Sequence, residues 1–269
     1  MERIEIFNDH FQNYKQYGIP KAQLIIADIP YNVGINAYGS NPSWYIDGDN
    51  AKGESELAGT TFFDTDLDFR IPEFMAFCSH MLRPEPKEKG KAPAMIVFCS
   101  FEQQFVLIEE AKKHGLNKYL NLVFRKNFSA QVLKANMRIV GNCEYAIVLY
   151  RDKLPKFNNR GNMIFNCMNY PRDLGMEKIH PTQKALSILE YLIEIFTDEN
   201  EVVIDPCAGS GSTLIAAKKL NRKAYGFEIK KNFYYAAQKA LQEMAIQQNI
   251  FLEYRPRQYK QIEMFEKTE

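Results

Sequence analysis

The chain has 269 residues, 46% of them apolar and 25% charged, with a net charge of +1 and a mean hydropathy of −0.37. This composition excludes a disordered polyelectrolyte, and no apolar run approaches the roughly 20 residues that span a bilayer. The N-terminus, MERIEIFNDHF, lacks the basic-then-apolar layout of a secretory signal, so a cytoplasmic protein without membrane contact is expected.

In chain order, strands are expected at 24–27, 94–99 (AMIVFC), 120–124, 144–149 (EYAIVL), 201–204 and 223–227. Amphipathic helices are expected at 71–82, 102–114, 182–196, 212–220 and 231–247. The alternation predicts an α/β fold with a mostly parallel sheet. Residues 32–70, rich in Gly, Asn, Ser and Asp and holding the lone Trp44, read as a long loop. Residues 84–93 read as a charged turn, and 127–142 and 151–179 as irregular polar segments. Acidic residues gather between Asp47 and Glu73 and basic ones between Arg125 and Arg160. That asymmetry allows a basic face for a polyanion; a solvated surface with balanced charges is the other reading. Cys78, Cys99, Cys143, Cys167 and Cys207 form no C-x-x-C and have no histidine at zinc spacing, so reduced, mostly buried thiols and no metal are expected.

Two strand-to-loop junctions carry the chemistry. At the first, LIIA runs into Asp28-Ile29-Pro30-Tyr31. Alone, this is a turn with an acid at its start. At the second, the β-branched strand EVVI ends in Asp205-Pro206-Cys207-Ala208-Gly209-Ser210-Gly211-Ser212-Thr213, and a helix follows. Glycines there let the backbone approach a ligand, and the helix start offers free N–H groups. Some twenty residues on, strand KAYGF ends at Glu228, well placed to accept from both hydroxyls of a ribose. A nicotinamide dinucleotide site shares this layout, but Asp205 would repel a pyrophosphate and suits a ligand with a positive centre. An empty Rossmann-like turn is the plain alternative.

Taken together, these junctions resemble the amino-group DNA methyltransferases, which act on adenine N6 or cytosine N4. Asp28-Ile29-Pro30-Tyr31 is similar to that family's catalytic Asp-Pro-Pro-Tyr. Asp205 to Ser212 resembles its cofactor motif, with Cys207 where phenylalanine is usual. His180-Pro181-Thr182-Gln183-Lys184 resembles the segment leading into the helix before that motif. The catalytic motif precedes the cofactor motif, as in the family's β group, and the likeness runs from about residue 3 to 245.

The resemblance implies a Rossmann-like methyltransferase fold with helices on both faces and a small inserted recognition segment. One domain over 1–269 is expected, with a catalytic region over about 1–126, recognition over about 127–179 and cofactor binding over about 180–250. It implies S-adenosylmethionine as cofactor and DNA as partner. Asp28 and the Ile29 carbonyl would grip the target amine, Pro30 would stiffen the turn and Tyr31 would stack on a flipped base. In the family, aspartate at the first catalytic position leans to adenine and serine to cytosine. Cytosine-N4 transfer, an RNA or free-nucleotide substrate, and an inactive DNA- or cofactor-binding subunit are the rival readings. His180 and Lys184 have two readings each: contact with the cofactor, or a cap or structural support for the helix. Arg125, Lys126, Lys134 and Arg138 are candidate phosphate contacts or solvated charges, and Trp44 stacks on DNA or caps the acidic loop. The short recognition segment suggests that a second copy or a partner subunit helps grip DNA.

Overall fold

The computed structural model describes residues 3–31, 69–126, 131–134, 139–170 and 184–244. An eight-stranded sheet carries the fold. Its strands in chain order are β1 (Ile4–Phe7), β2 (Leu24–Asp28), β3 (Ala94–Cys99), β4 (Lys118–Lys126), β7 (Cys143–Tyr150), β8 (Cys167–Tyr170), β9 (Val202–Asp205) and β10 (Lys223–Phe227). A separate hairpin holds β5 (Gln131–Lys134) and β6 (Ile139–Gly141). The spatial order is β1-β10-β9-β2-β3-β7-β4-β8. Within this sheet only β7 runs against the rest, antiparallel to both β3 and β4.

The central strands β2, β3 and β9 are apolar up to their carboxyl ends because both faces are covered, as parallel sheets require. On one face Leu24, Ile26, Ile96, Phe98, Phe124 and Val148 pack with helices α3 (Leu186–Phe196) and α4 (Ser212–Lys219) and with Ala237 of a helix at 231–244. On the other, Ile25, Ala27, Met95, Val97, Ile147 and Ile204 pack with α1 (Ile71–Met81), α2 (Phe101–Lys113) and the short 3-10 turn Phe11–Gln16. Odd and even residues of one strand therefore enter different cores, and a side chain's face follows from its parity.

The expected strands and helices all appear, with ends shifted by a few residues. The four-residue β1 and β8, and the hairpin β5–β6, fall where no strand was expected. β1 attaches to β10 at the sheet edge, and β8 extends the other edge beyond β4. Of the stretch 127–179 expected to serve recognition, β7 and β8 are strands of the main sheet. The cysteines are free thiols, but only Cys78 and Cys99 are buried; Cys207 is half-buried and Cys143 and Cys167 are exposed. Among the described residues, no helix is long and apolar enough to cross a membrane.

Candidate active site

The two junctions are neighbours in space. β2 pairs in parallel with β9, Leu24 opposite Val203 and Ile25 opposite Ile204. From β9 the chain moves outward through α4 to β10, and from β2 it moves the other way through α1 to β3. The two strands thus flank the topological switch point, whose crevice at the carboxyl ends is where open α/β sheets bind ligands. Asp28 and Asp205 end these two strands.

The Asp28–Tyr31 turn is held from beneath. Ile29 donates its N–H to the Phe98 carbonyl at 3.2 Å, and its side chain is only 2% exposed, inside the α1/α2 core. Proline has no N–H, so this hydrogen bond to Phe98 is what the departure from proline supplies. At the start of α2, Ser100 and Gln103 form a capping box. Gln103 also donates from Nε2 to the Pro30 carbonyl at 2.8 Å, tying the turn to the helix. The S-x-x-Q pattern is legible in the sequence, but its link to Pro30 is not.

Asp28 lies on the α3 face of the sheet and meets a chain of charges there. Lys184, directly before α3, sets its Nζ 2.9 Å from Asp28 Oδ2 and 3.3 Å from Glu144 Oε2; its side chain is 7% exposed. Glu144 also pairs with Lys126. Lys184 Nζ lies 5.2 Å from the Phe98 ring centroid and 5.7 Å from that of Tyr31, and Lys126 Nζ lies 5.1 Å from that of Tyr170. The Tyr170 hydroxyl accepts from the Ala185 N–H at 2.9 Å, anchoring the backbone beside Lys184. Asp28 Oδ1, by contrast, is buried with no hydrogen-bond partner among the described residues.

Burial raises the Asp28 carboxyl above its ordinary pKa, even against the attraction of Lys184. Burial also opposes the charge on Glu144, but two lysines, Lys184 and Lys126, outweigh it and hold that carboxyl below the ordinary value. At Lys184 burial is outweighed by Asp28 and Glu144, and the ammonium is held well above its ordinary pKa.

At the second junction Gly209 and Gly211 have φ of 51° and 76°, in the left-handed region that favours glycine. The Cys207 N–H donates to Asp205 Oδ1 at 2.9 Å, and the Ser210 and Ser212 hydroxyls lie 2.8 Å apart. Glu228 accepts from the Gly209 N–H at 2.9 Å and from the Lys230 N–H at 2.7 Å. Asp205 is 4% exposed, and burial lifts its carboxyl to about 7, against hydrogen bonds from Thr213 and Cys207. Asp28 and Glu228 both add to that rise, so three carboxylates converge on the crevice. This donor set fits a ligand with an ammonium or sulfonium centre and a ribose: buried acids for the cation and Glu228 for hydroxyls. Pro206, Cys207, Ser212 and Thr213 form the turn and the start of α4 that hold these groups.

Some expected residues stand elsewhere. Lys184, read with the cofactor segment, has its ion pairs with Asp28 and Glu144. Arg125 and Lys126 are adjacent on β4 and so face opposite sides. Arg125 is exposed and donates to Asn169 Oδ1 at 3.1 Å. Lys126, expected among the phosphate contacts, turns inward to Glu144 with a side chain 10% exposed. Arg151 and Lys153 donate to backbone carbonyls, and Lys156 and Arg160 pair with Asp198 and Glu194. The described part of the basic run is thus largely engaged within the fold. Trp44, Arg138 and His180 lie outside the described residues, as does the side chain of Lys134. Glu144 was not singled out in the sequence, where it is one acid at the head of an apolar strand.

The sequence model of the N6/N4-type DNA methylase family matches residues 22–239. The DNA adenine methyltransferase YhdJ of Escherichia coli K12 is 24% identical over 85% of this chain and 79% of its own length. Other curated relatives, type II methyltransferases among them, align over less than two thirds of their own length. In fold, the chain is similar to the crystal structure of the M1.HpyAVI–S-adenosylmethionine complex: TM-score 0.62, 23% identity, 90% of this chain and 99% of that one. It is also similar to the cytosine-N4-specific PvuII DNA methyltransferase, with a TM-score of 0.64, 14% identity, and coverage of 88% of this chain and 86% of that one. With its motifs at the switch point and the family match across most of its length, the chain belongs to the N6/N4 DNA methylases, whose methyl donor is S-adenosylmethionine.

Proposed function

We propose that the protein transfers a methyl group from S-adenosylmethionine to the exocyclic N6 amine of a flipped adenine in DNA, at a specific sequence. The observation that carries this reading is Asp28 Oδ1, a buried acceptor without a partner among the described residues, at the crevice between β2 and β9. An aromatic amine is a poor nucleophile because its lone pair is delocalised into the ring. Asp28 Oδ1 and the backbone carbonyl of Ile29 each accept a hydrogen bond from the amine, which pyramidalises the nitrogen and aims its lone pair; the N–CH3 bond forms as the S–CH3 bond breaks, and the methylated amine then loses one proton to solvent. A backbone carbonyl does not depend on its side chain, so isoleucine serves in place of proline. Tyr31 stacks on the extruded base, worth about 1–3 kcal/mol against the cost of unstacking.

At the second junction Glu228 accepts from ribose hydroxyls, and Asp205 faces the cationic part of the donor. The donor supplies an electrophilic methyl on a sulfonium that departs as a neutral thioether. The chain's contribution to the step is therefore positioning.

Adenine is favoured over cytosine by aspartate at position 28 and by the adenine specificity in the name of YhdJ, which aligns along most of the chain. Cytosine-N4 transfer is the second reading, favoured by the fold likeness to the PvuII enzyme. Radiolabelled transfer to DNA, followed by digestion to nucleosides, tests this: label in N6-methyladenine is expected. Label in N4-methylcytosine overturns the base assignment, and label in neither overturns the activity. Asp28→Ala is expected to abolish transfer while cofactor affinity, measured by calorimetry, stays within about threefold, because the lost acceptor acts on the amine.

A further inference from the structure

The charge chain on the α3 face goes beyond what the four catalytic residues explain. Asp28, Lys184, Glu144 and Lys126 come from β2, the lead into α3, β7 and β4. They meet because each lies on the same side of the sheet near its carboxyl edge. Register sets the spacing: Asp28 is opposite Phe98 on β3, Phe98 opposite Ala146 on β7, and Glu144 opposite Phe124 on β4. Lys184 bridges the gap from above, with Phe98 beneath it.

Such a cluster is a poor way to stabilise a fold. Buried ion pairs recover little of their desolvation cost, and apolar replacements of similar volume are often as stable or more so. Its geometry is selective instead. Lys184 engages one oxygen of Asp28, Oδ2, and leaves Oδ1 buried and unpartnered among the described residues. Lys184 is itself fixed from three directions: by Asp28, by Glu144, and through the Ala185 N–H bonded to the Tyr170 hydroxyl.

We propose that Lys184 is a positioning residue of the transfer reaction: clamped by Glu144, it holds one oxygen of Asp28 so that the other alone meets the target amine. The proposal rests on the methyl-transfer reading. Lys184 also keeps Asp28 an acceptor. Protonation would make Asp28 a weaker acceptor for the amine hydrogen and could set a competing O–H on the oxygen that faces it. Among the described residues, the charges facing Asp28 are Lys184, Lys126 and Glu144 on its own face and Asp205 from β9. The neutral titratable groups about it are Tyr31, Tyr170, Cys99 and Cys207. Of these groups, Lys184 is the closest cation, so its loss moves Asp28 further toward the protonated form.

The test is single-turnover methyl transfer to DNA across pH, with cofactor affinity measured separately. Lys184→Met is expected to lower the plateau rate about 100-fold, the scale set by an ångström's misplacement of a reacting group. The acid limb of the pH–rate profile is expected to move to higher pH, and cofactor affinity to stay within about threefold. Lys184→Arg is expected to return the acid limb toward its wild-type position with part of the rate. If Lys184→Met does not fold, the charge-balanced Glu144→Gln/Lys184→Met pair is expected to move the acid limb in the same direction by less, because Glu144 opposes Lys184 at Asp28. Where rates are too low to profile, a carbon-13 NMR titration of the Asp28 carboxyl reads the same upward movement. An active wild type together with an unmoved acid limb in the folded variant overturns the proposal alone. So does a loss of affinity for the cofactor that accounts for the whole effect. A wild-type protein that transfers no methyl group overturns the methyl-transfer reading, and the proposal with it.

Discussion

Replacing Gly211 by alanine probes whether the turn between β9 and α4 is shaped by its backbone alone or also by what packs on it. Gly211 caps the N-terminus of α4 at φ 76°, and a Cβ built there meets the Ala237 Cβ at 3.0 Å. A left-handed residue bearing a Cβ costs roughly 1–2 kcal/mol. Overpacking against a side chain that cannot rotate away costs roughly 1–3 kcal/mol. The lower entropy of the unfolded chain returns roughly 0.4–1 kcal/mol. A net destabilisation of about 1–4.5 kcal/mol follows, or several degrees in Tm for a chain of this size. Gly115 is the internal control. It has the same φ of 76°, and a Cβ there meets nothing within 4 Å. Gly115→Ala is therefore expected to lose only about 0–1.5 kcal/mol, the strain less the entropy gain. Urea unfolding of the two variants side by side isolates the contact with Ala237. Cofactor affinity should fall in Gly211→Ala and stay unchanged in Gly115→Ala. Equal destabilisation of the two would refute the claim that the helix at 231–244 constrains the turn.

Asp205 predicts a pH dependence whose sign is fixed. Its folded carboxyl titrates at about 7 and its unfolded one near 3.8, so the folded state holds a proton that the unfolded chain has lost. That contribution to stability is complete below the lower value and is lost as pH rises through the window to about 7; Asp205→Asn should flatten this part of a plot of urea midpoint against pH. A cationic cofactor favours the ionised carboxyl, so its affinity should rise with pH up to about 7 with proton release, read by calorimetry in two buffers of different ionisation enthalpy; a pH-independent affinity would count against contact between Asp205 and the cation. On DNA, Arg125→Ala should reduce the slope of log affinity against log salt by about one, as one phosphate contact is lost. Lys126→Glu should instead lower the unfolding midpoint, because it sets a third acid beside Glu144 and Asp28. A reversal at Lys126 that changes only the salt slope would show that its side chain reaches the DNA.

What neighbouring residues decide among themselves is legible in the chain alone. Continuous apolar runs such as AMIVFC mark strands buried on both faces, and the glycine turn between VVID and the α4 helix marks a ligand loop, because both depend on residues a few positions apart. The family motifs, read in order, likewise point to Asp28 and Asp205 as partners in one site. Short or polar strands are not legible: β1 forms only because β10 offers an open edge, and Asn8 beyond it bonds the Glu228 carbonyl 220 residues away. Nor is the direction of β7, which runs antiparallel to β4 and so brings the start of that strand to the edge where Asp28 lies. The tertiary structure alone decides which charges gather around Asp28. Strand parity sends Lys126 inward and its neighbour Arg125 out, and sheet order brings Glu144 within reach of Lys184. Charged side chains have no local pattern that names a distant partner; burial pairs them, and burial exists only once the sheet has closed over them.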